Sequence, residues 1–405
     1  TMRLAARNLL RRKLRTGLTA GMVTMGVALL MLALTWVGGA MGGAMATATA
    51  AGGHVRIVDP DFAAREELMP LEENLPETAP LVALLRSQPG VRAVEPRITA
   101  GVTVSAGEEI GEVFALAVGA EPSYFEAQLR ANEKLVQGGW FSGGADELVL
   151  GRKVAAQAKA KPGDEVLLLG MTQDGSLSPI KGRVVGVVGG SGLEQQVLVP
   201  LEKLRWLTDI SEGATELLVY GDDYRDAPSL ARGLRNLPGL KPYAVDAWSE
   251  REPWRSLGAT VKGMQGIIVF VVVFLAALGI WNTMTMSVLE RTHEIGVLRA
   301  LGLSRPGAVA MFVGEGAVIG VLGGLAGLLL GLGPAWLLEH HGIHIGAKVA
   351  SSSEIPLGET VYGDLTLSVM GWSFALGLLM AILGSVLPAL RAASIQPVSA
   401  MRSGR

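Results

Sequence analysis

The sequence contains no cysteine. That excludes disulfides, thiolate metal sites and cysteine nucleophiles together. It leaves the compartment open, because a domain large enough to bury its own core can do without cross-links. Charge is also scarce: 18% of the 405 residues are Asp, Glu, Lys or Arg, against about 25% in soluble globular domains. The formal net charge of −2 neither favours nor excludes an acidic partner such as nucleic acid. No G-x-x-x-x-G-K-S/T segment occurs, so the lysine and the Mg-coordinating hydroxyl of a phosphate-binding loop are both missing. H-E-x-x-H, G-x-S-x-G and spaced metal-ligand sets are absent too. Ser191 and Ser211 have acidic neighbours but no histidine partner at a readable spacing. The chain is expected to be no enzyme and to bind no metal or cofactor directly.

Apolar residues are plentiful: 49% of the chain is hydrophobic and the mean hydropathy is +0.39. The excess is concentrated in four stretches, each long enough to cross a bilayer, which takes roughly 20 apolar residues. Thr16 to Gly53 holds no Asp, Glu, Lys, Arg or His, and its dense part runs from Leu18 to Met41. The others are Gly263 to Leu289, Ala308 to Leu338 with Glu315 as its one acid, and Leu365 to Leu390. The first resembles a signal peptide in its basic flank. Its apolar run is longer than the usual core of about 7–15 residues, which favours an uncleaved anchor.

Basic residues near span ends set orientation. Arg3, Arg7, Arg11, Arg12, Lys13 and Arg15 precede the first span; Arg291, Arg299 and Arg305 lie between the second and third; Arg391, Arg402 and Arg405 follow the fourth. The 339–364 loop instead carries Glu339, Glu354, Glu359 and Asp364 against Lys348 alone. Both termini are therefore expected in the cytoplasm, with 339–364 and the long 50–260 segment outside it. His340, His341 and His344 cluster in that loop. A metal site is conceivable there, but a polar outer loop explains them as well.

The expected fold is a membrane all-α core of four transmembrane helices with a large α+β extracytoplasmic domain. Strands are expected at His54–Val58, Val91–Val104, Val113–Val118, Glu147–Leu150, Glu165–Leu169, Arg183–Val188, Gln196–Val199 and Thr215–Tyr220. Helices are expected near Pro80–Ser87 and Ala227–Asn236, each followed by a Pro-Gly turn and a strand. Two such related units around a β-rich centre suggest an outer part, 54–120 plus 212–250, interrupted by an insert, 121–211. The remaining expected segments are an amphipathic helix at 1–16, spans at 17–49, 263–289, 306–338 and 365–390, and a tail at 391–405.

Residues 290–305 join the second span to the third. Over Met286–Arg305, Val288, Ile295, Leu298 and Leu301 offer apolar contacts, while Glu290, Arg291, Glu294 and Arg299 are charged. Gly302 is placed to end the helix, and Ser304 to Pro306 to start the return. On its residues alone the segment reads equally as a rigid docking helix or as a charged turn.

In this segment Glu290, Arg291, Glu294, Ile295, Gly296, Arg299, Ala300, Gly302 and Ser304 follow an E-R-x-x-E-I-G-x-x-R-A-x-G-x-S pattern. Near the end, Pro388, Ala389, Ala392, Pro397, Ala400 and Arg402 follow a P-A-x-x-A-x-x-x-x-P-x-x-A-L-R pattern, with Met401 where leucine is common. With them the chain resembles the FtsX-like, MacB-like and LolC/LolE-like permeases of ABC systems, the mechanotransmission class. The resemblance covers essentially the whole chain. It implies that 290–305 is a coupling helix docking on a separate ATPase through Glu290, Arg291, Glu294, Ile295, Arg299 and Ser304. It implies a porter-like outer domain interrupted by a β-rich part, a cytoplasmic ABC ATPase dimer carrying ATP and Mg, and a second permease subunit. A periplasmic adaptor, lipoprotein carrier or hydrolase and membrane lipids are further expected partners, and nucleic acid is not. The implied place is the bacterial inner membrane. The implied work is extraction or export of a lipidated or hydrophobic substrate. The alternatives are force transmission to a cell-wall partner and MacB-like efflux.

Within the third span Gly316, Gly320 and Gly324 recur every fourth residue, interleaved with Gly323, Gly327 and Gly331. Small residues at that spacing let helix backbones approach closely, so this face is expected against the second or fourth span. Glu315 is costly inside lipid. It is expected near the headgroups or facing protein, with a substrate or proton site as the alternative.

Overall fold

The structure is a computed structural model that describes residues 13–107, 112–190, 192–346 and 360–395. Arg3, Arg7, Arg11 and Arg12 with the rest of 1–12 of the expected helix over 1–16, Ser191, Lys348, Glu354, Glu359 and the tail from 396, with Pro397, Ala400, Arg402 and Arg405, lie outside the described residues, while Lys13 to Thr16 begin the first long helix. The rest divides into two compact units. A helical unit takes the chain up to Gly42, 259–344 and 360 onwards, and a sheet unit takes Gly43–Gly258.

Four long helices are apolar enough to cross a membrane: α1 (Lys13–Gly52), α7 (Trp254–Glu290), α9 (Arg305–His341) and α10 (Leu367–Ser394). The nine-residue α8 (Thr292–Ala300) lies between α7 and α9. In the helical unit Val23, Val27 and Leu30 of α1 meet Ile280 and Met284 of α7, Ile319 of α9, and Met380 and Ala381 of α10. Apolar burial gives no net drive in lipid, so close approach must hold these helices.

The two glycine series of α9 address different neighbours. A Cβ on Gly316 or Gly320 would strike Ser385 Oγ at 2.6 Å or Ala381 Cβ at 2.9 Å, and one on Gly324 would meet the Phe374 ring at 3.0 Å, all on α10. On Gly323, Gly327 or Gly331 it would meet Val23 Cβ at 2.8 Å, the Thr24 carbonyl at 2.7 Å or Ala28 Cα at 3.2 Å, all on α1. The second series therefore faces the first span, which the sequence had not suggested, and Thr24 Oγ1 donates to the Gly323 carbonyl at 3.1 Å. α7 packs instead through Ile280 onto Gly384 of α10. Gly327→Leu is expected to lower the denaturation midpoint of the detergent-solubilised chain, since overpacking costs about 1–3 kcal/mol. Gly333→Leu, with nothing within 4 Å of its added Cβ, should leave the midpoint in place; equal effects would remove the close-packing account.

In the sheet unit, β1 (Val55–Val58), β2 (Ala93–Ser105), β9 (Glu216–Tyr220) and β10 (Ala244–Ala247) lie in the order β10-β1-β9-β2. All three pairings are antiparallel. Helices α2 (Thr78–Arg86) and α6 (Ala227–Arg235) cover them, Leu81 and Leu85 sharing one core with Ala231 and Leu234. This is a split βαβ arrangement in which each helix precedes an edge strand. Residues between β2 and β9 build a second core on β3 (Val113–Ala120), β4 (Leu135–Gly138), β5 (Glu147–Gly151), β6 (Glu165–Met171), β7 (Leu177–Val188) and β8 (Gln196–Pro200). Helices α3 (Pro122–Ala127), α4 (Arg152–Gln157) and α5 (Leu201–Thr208) accompany them. The thirteen-residue β2 serves both cores, because Val94, Ile98, Ala100, Val102 and Val104 keep one alternation along it. Strand β4, helices α3 and α5, and the first half of β7 were not expected from the sequence.

Candidate coupling site

Helix α7 stops at Glu290, and the chain turns through Arg291 into α8. At the other end Gly302, with φ of 104°, adopts a left-handed conformation that suits glycine. There the Leu303 N–H reaches the Leu298 carbonyl at 3.0 Å and the Gly302 N–H reaches that of Arg299 at 3.1 Å. This double closure ends the helix. Ser304 caps the next helix, accepting the Gly307 N–H at 3.2 Å, with Pro306 in its first turn.

Three separate ties hold α8. Ile295 is buried with Val288 of α7, Phe312 of α9, and Ala389 and Ala392 of α10. The Arg291 guanidinium meets Glu315 of α9 at 3.3 Å, both side chains largely shielded. Arg299 donates to the Ala393 carbonyl at 2.8 Å and also to that of Ile395, capping the end of α10. A cation there satisfies orphan carbonyls at the negative end of the helix. Glu315 thus faces protein and has a partner. Arg299, expected on a docking surface, is instead turned inward, and Ser304 serves as a cap. Glu294, Val297, Leu298 and Leu301 lie on the opposite, exposed side, with Leu301 81% exposed. Leu298 and Leu301 therefore do not join the core. The histidines do not converge either: His340 Nδ1 contacts the Trp336 carbonyl at 3.1 Å, and His344 Nδ1 contacts Thr360 Oγ1 at 3.3 Å.

The sheet unit grips the last turn of α1. Tyr220 OH donates to the Ala50 carbonyl at 2.8 Å, Tyr124 OH to that of Ala51 at 2.8 Å, and Arg251 to that of Gly52 at 2.9 Å. Arg97 also donates to Ala51 and is itself held by Glu216 at 3.0 Å. Thr99 donates to the same carboxylate at 3.2 Å. Burial alone would raise the Glu216 carboxyl, but Arg97 and Arg56 more than reverse this and hold it below the ordinary carboxylate range. Burial, reinforced by Arg56, brings the Arg251 guanidinium down to about 10. Arg56 pairs in addition with Glu66 at 2.8 Å. The helix therefore ends in a socket of oriented donors where its carbonyls carry partial negative charge.

The MacB-like periplasmic core domain family matches residues 16–237, more than half of the chain, and the FtsX-like permease C-terminal family matches 266–397. The chain belongs to the FtsX-like/MacB-like permease family. The permease is 32% identical over 153 residues to an uncharacterised ABC transporter permease of Methanocaldococcus jannaschii, 36% of each chain. It is 28% identical over 276 residues to the lipoprotein-releasing system transmembrane protein LolC of Xylella fastidiosa, 64% of this chain and 65% of that one. It is also 28% identical over 236 residues to the macrolide export ATP-binding/permease protein MacB of Wolinella succinogenes, 55% of this chain and 34% of that one. The permease thus spans 34% to 65% of the length of these curated relatives. It is a multi-pass inner-membrane protein whose large domain is extracytoplasmic.

Sequence reading missed the socket of this permease. Its one available signal was a charge within each of three apolar strands: Arg56 in VRIV, Arg97 in the thirteen-residue β2 and Glu216 at the head of ELLVY. Charges at such positions demand partners. Next to the socket, His54 accepts the Gly221 N–H on Nδ1 at 3.0 Å and meets Tyr220 edge-on at 5.5 Å. Burial lowers its pKa, and Asp223 only partly restores it. Its contribution to stability is complete above the unfolded value of about 6.5 and is lost as pH falls through the lower folded value. The melting midpoint of the sheet unit should fall between pH 7 and pH 5, and this slope should flatten in His54→Asn. An unchanged slope would show that other groups carry it.

Proposed function

We propose that the chain is the permease subunit of an ATP-driven ABC complex, turning closure of a cytoplasmic ATPase dimer into movement of its extracytoplasmic domain. The observation that carries this reading is the triple attachment of α8: to α7 and α9 through the Ile295 cluster, to α9 through Arg291 and Glu315, and to α10 through Arg299. A helix tied to three spans displaces them together when it is pushed. Its exposed side, Glu294, Val297, Leu298 and Leu301, supplies a charged and apolar stripe at i, i+3, i+4 and i+7 for a motor groove. ATP and Mg belong to that motor, and a second permease subunit completes the pair. Unbroken helices α1 and α7 lead from the spans into the extracytoplasmic part of the chain. The α1 socket supports the same reading, because a loose helix end would dissipate displacement.

For the substrate, the longest of the three matches, to a lipoprotein-releasing protein over 276 residues, favours extraction of a lipidated or hydrophobic cargo. Peptide or drug efflux and mechanical activation of a cell-wall protein remain the competing uses of the same movement. The test is co-purification of the chain with its ATP-binding subunit, with ATPase activity read in nanodiscs. The double variant Glu294→Lys/Leu301→Asp alters only exposed side chains. It should lose co-purification or coupled ATPase activity by about tenfold or more while melting like wild type. If no ATP-binding subunit accompanies the wild-type chain, or the variant remains fully coupled, the reading fails.

A further inference from the structure

Beside the α1 socket the sheet unit contains an open cavity of about 900 Å3, within the range that accommodates drug- and lipid-sized molecules. Ala46 and Ala50 of α1 line it, together with the apolar Leu116, Val118, Leu129 and Leu193. Two shielded polar groups of the lining, Arg97 and Tyr124, are committed to Glu216 and to the Ala51 carbonyl. The interior therefore offers mainly hydrocarbon contact. The lining also contains two cations, Arg130 and Lys134, with one acid, Glu133, beside them. Among the described residues neither cation has a carboxylate at salt-bridge distance.

Both cations are positioned by backbone features. Arg130 occupies a left-handed turn with φ of 46°, uncommon for a residue with a side chain. That turn is closed by the Ala131 N–H on the Phe125 carbonyl at 2.9 Å. The stem of Lys134 lies over Gly190, where an added Cβ would come within 3.2 Å of Cδ. Its carbonyl accepts the Gly189 N–H at 2.9 Å. Burial lowers the Lys134 pKa, Arg130 adds to the effect, and Glu133 only partly opposes it. An anion beside these two groups would relieve both desolvation and like-charge repulsion.

We infer that this cavity binds a single-chain anionic amphiphile, with the hydrocarbon along Leu116, Val118, Leu129 and Leu193 and the carboxylate or phosphate held by Arg130 and Lys134. Charge complementarity selects the headgroup, and the apolar wall selects the chain. The site needs no motor, so it stands or falls separately from ATPase coupling.

The test uses the whole chain in neutral phosphatidylcholine nanodiscs without any ATPase. Two photoactivatable probes are applied, a twelve-carbon fatty acid and a lysophosphatidate of equal chain length, and labelled peptides are mapped by mass spectrometry. Saturable labelling is expected on peptides containing 116–134 and 193–196. Arg130→Glu/Lys134→Glu should weaken it by about tenfold or more, since both charge-assisted contacts are replaced by like-charge repulsion of the headgroup. Ala127→Trp, at an exposed lining position, should block it sterically with the fold intact by circular dichroism. Stronger labelling by one probe would support the site and identify its source as free fatty acid or lysophospholipid. Labelling confined to the four spans, or indifferent to both variants, would overturn the inference. Equal labelling by a neutral alcohol of the same length, or equal competition by inorganic phosphate, would overturn it as well.

Discussion

Arg291→Glu is expected to destabilise the helical unit by about 3–5 kcal/mol, because it removes one partner of a shielded ion pair and leaves Glu315 beside a second carboxylate. The wild-type guanidinium approaches both Glu315 oxygens, at 3.3 and 3.5 Å. It lies in the turn between α7 and α8, so its loss should loosen α8 against α9 and leave the Ile295 cluster and Arg299 as the remaining ties. Arg291→Glu should therefore abolish coupled ATPase activity and lower the denaturation midpoint together. The exchange Arg291→Glu/Glu315→Arg keeps one charge of each sign and should recover much of both. Glu315→Gln distinguishes a structural tie from a proton or substrate site. A tie would lose stability roughly in step with coupling, whereas a transport residue would lose turnover at nearly unchanged stability. Wild-type behaviour of Arg291→Glu in both measurements would rule out the pair as a linkage.

Elements governed by short-range pattern were legible. Apolar length marked the four spans, a left-handed glycine marked the end of α8, and two helix–turn–strand units marked the strands now found at the edges of the β10-β1-β9-β2 group. Strand β4 escaped because three of its four residues are exposed, so no alternation betrays it. Helix α5 escaped because leucines at 201, 204 and 207 follow directly on a strand and read as its continuation. The glycine series of α9 could be seen, but their neighbours could not: a four-residue spacing says that a backbone approaches and leaves open which one. The inward turn of Arg299 was out of reach for a related reason. A long side chain on an amphipathic helix can turn back to cap a neighbouring helix end as readily as it can face solvent. The socket lay furthest from reach, since Arg97 and Glu216 meet across 119 residues of sequence.

The two ends of the proposed transmission path use the same device. At α10, Arg299 closes a helix terminus through the Ala393 and Ile395 carbonyls; at α1, Arg97, Arg251 and two tyrosines close another through Ala50, Ala51 and Gly52. Capping through side chains from other elements converts a fraying terminus into a fixed joint, and the donors keep their orientation because they are buried. Removal of a single neutral donor should therefore be tolerated better than removal of the charge that orients the rest. Tyr220→Phe is expected to cost about 1 kcal/mol.

Glu216→Ala is the severe case. It leaves Arg97, Arg56 and Arg251 close together with only the half-exposed Glu66 as counter-charge, and an uncompensated buried cation costs about 3–5 kcal/mol. The sheet unit should lose cooperative melting first, followed by exchange protection at the Ala50–Gly52 end of α1. The acid limb of stability supplies an independent signature. The folded pKa of Glu216 is held below its ordinary value of 4.5, so its contribution is complete above about that pH and is lost as pH falls through the folded value. Glu216→Gln should begin from lower stability at neutral pH and show less of this acid-induced loss than wild type. Parallel acid limbs in the two proteins would mean that Glu216 is not ionised in the fold, and the socket would then require another source of order for its three arginines.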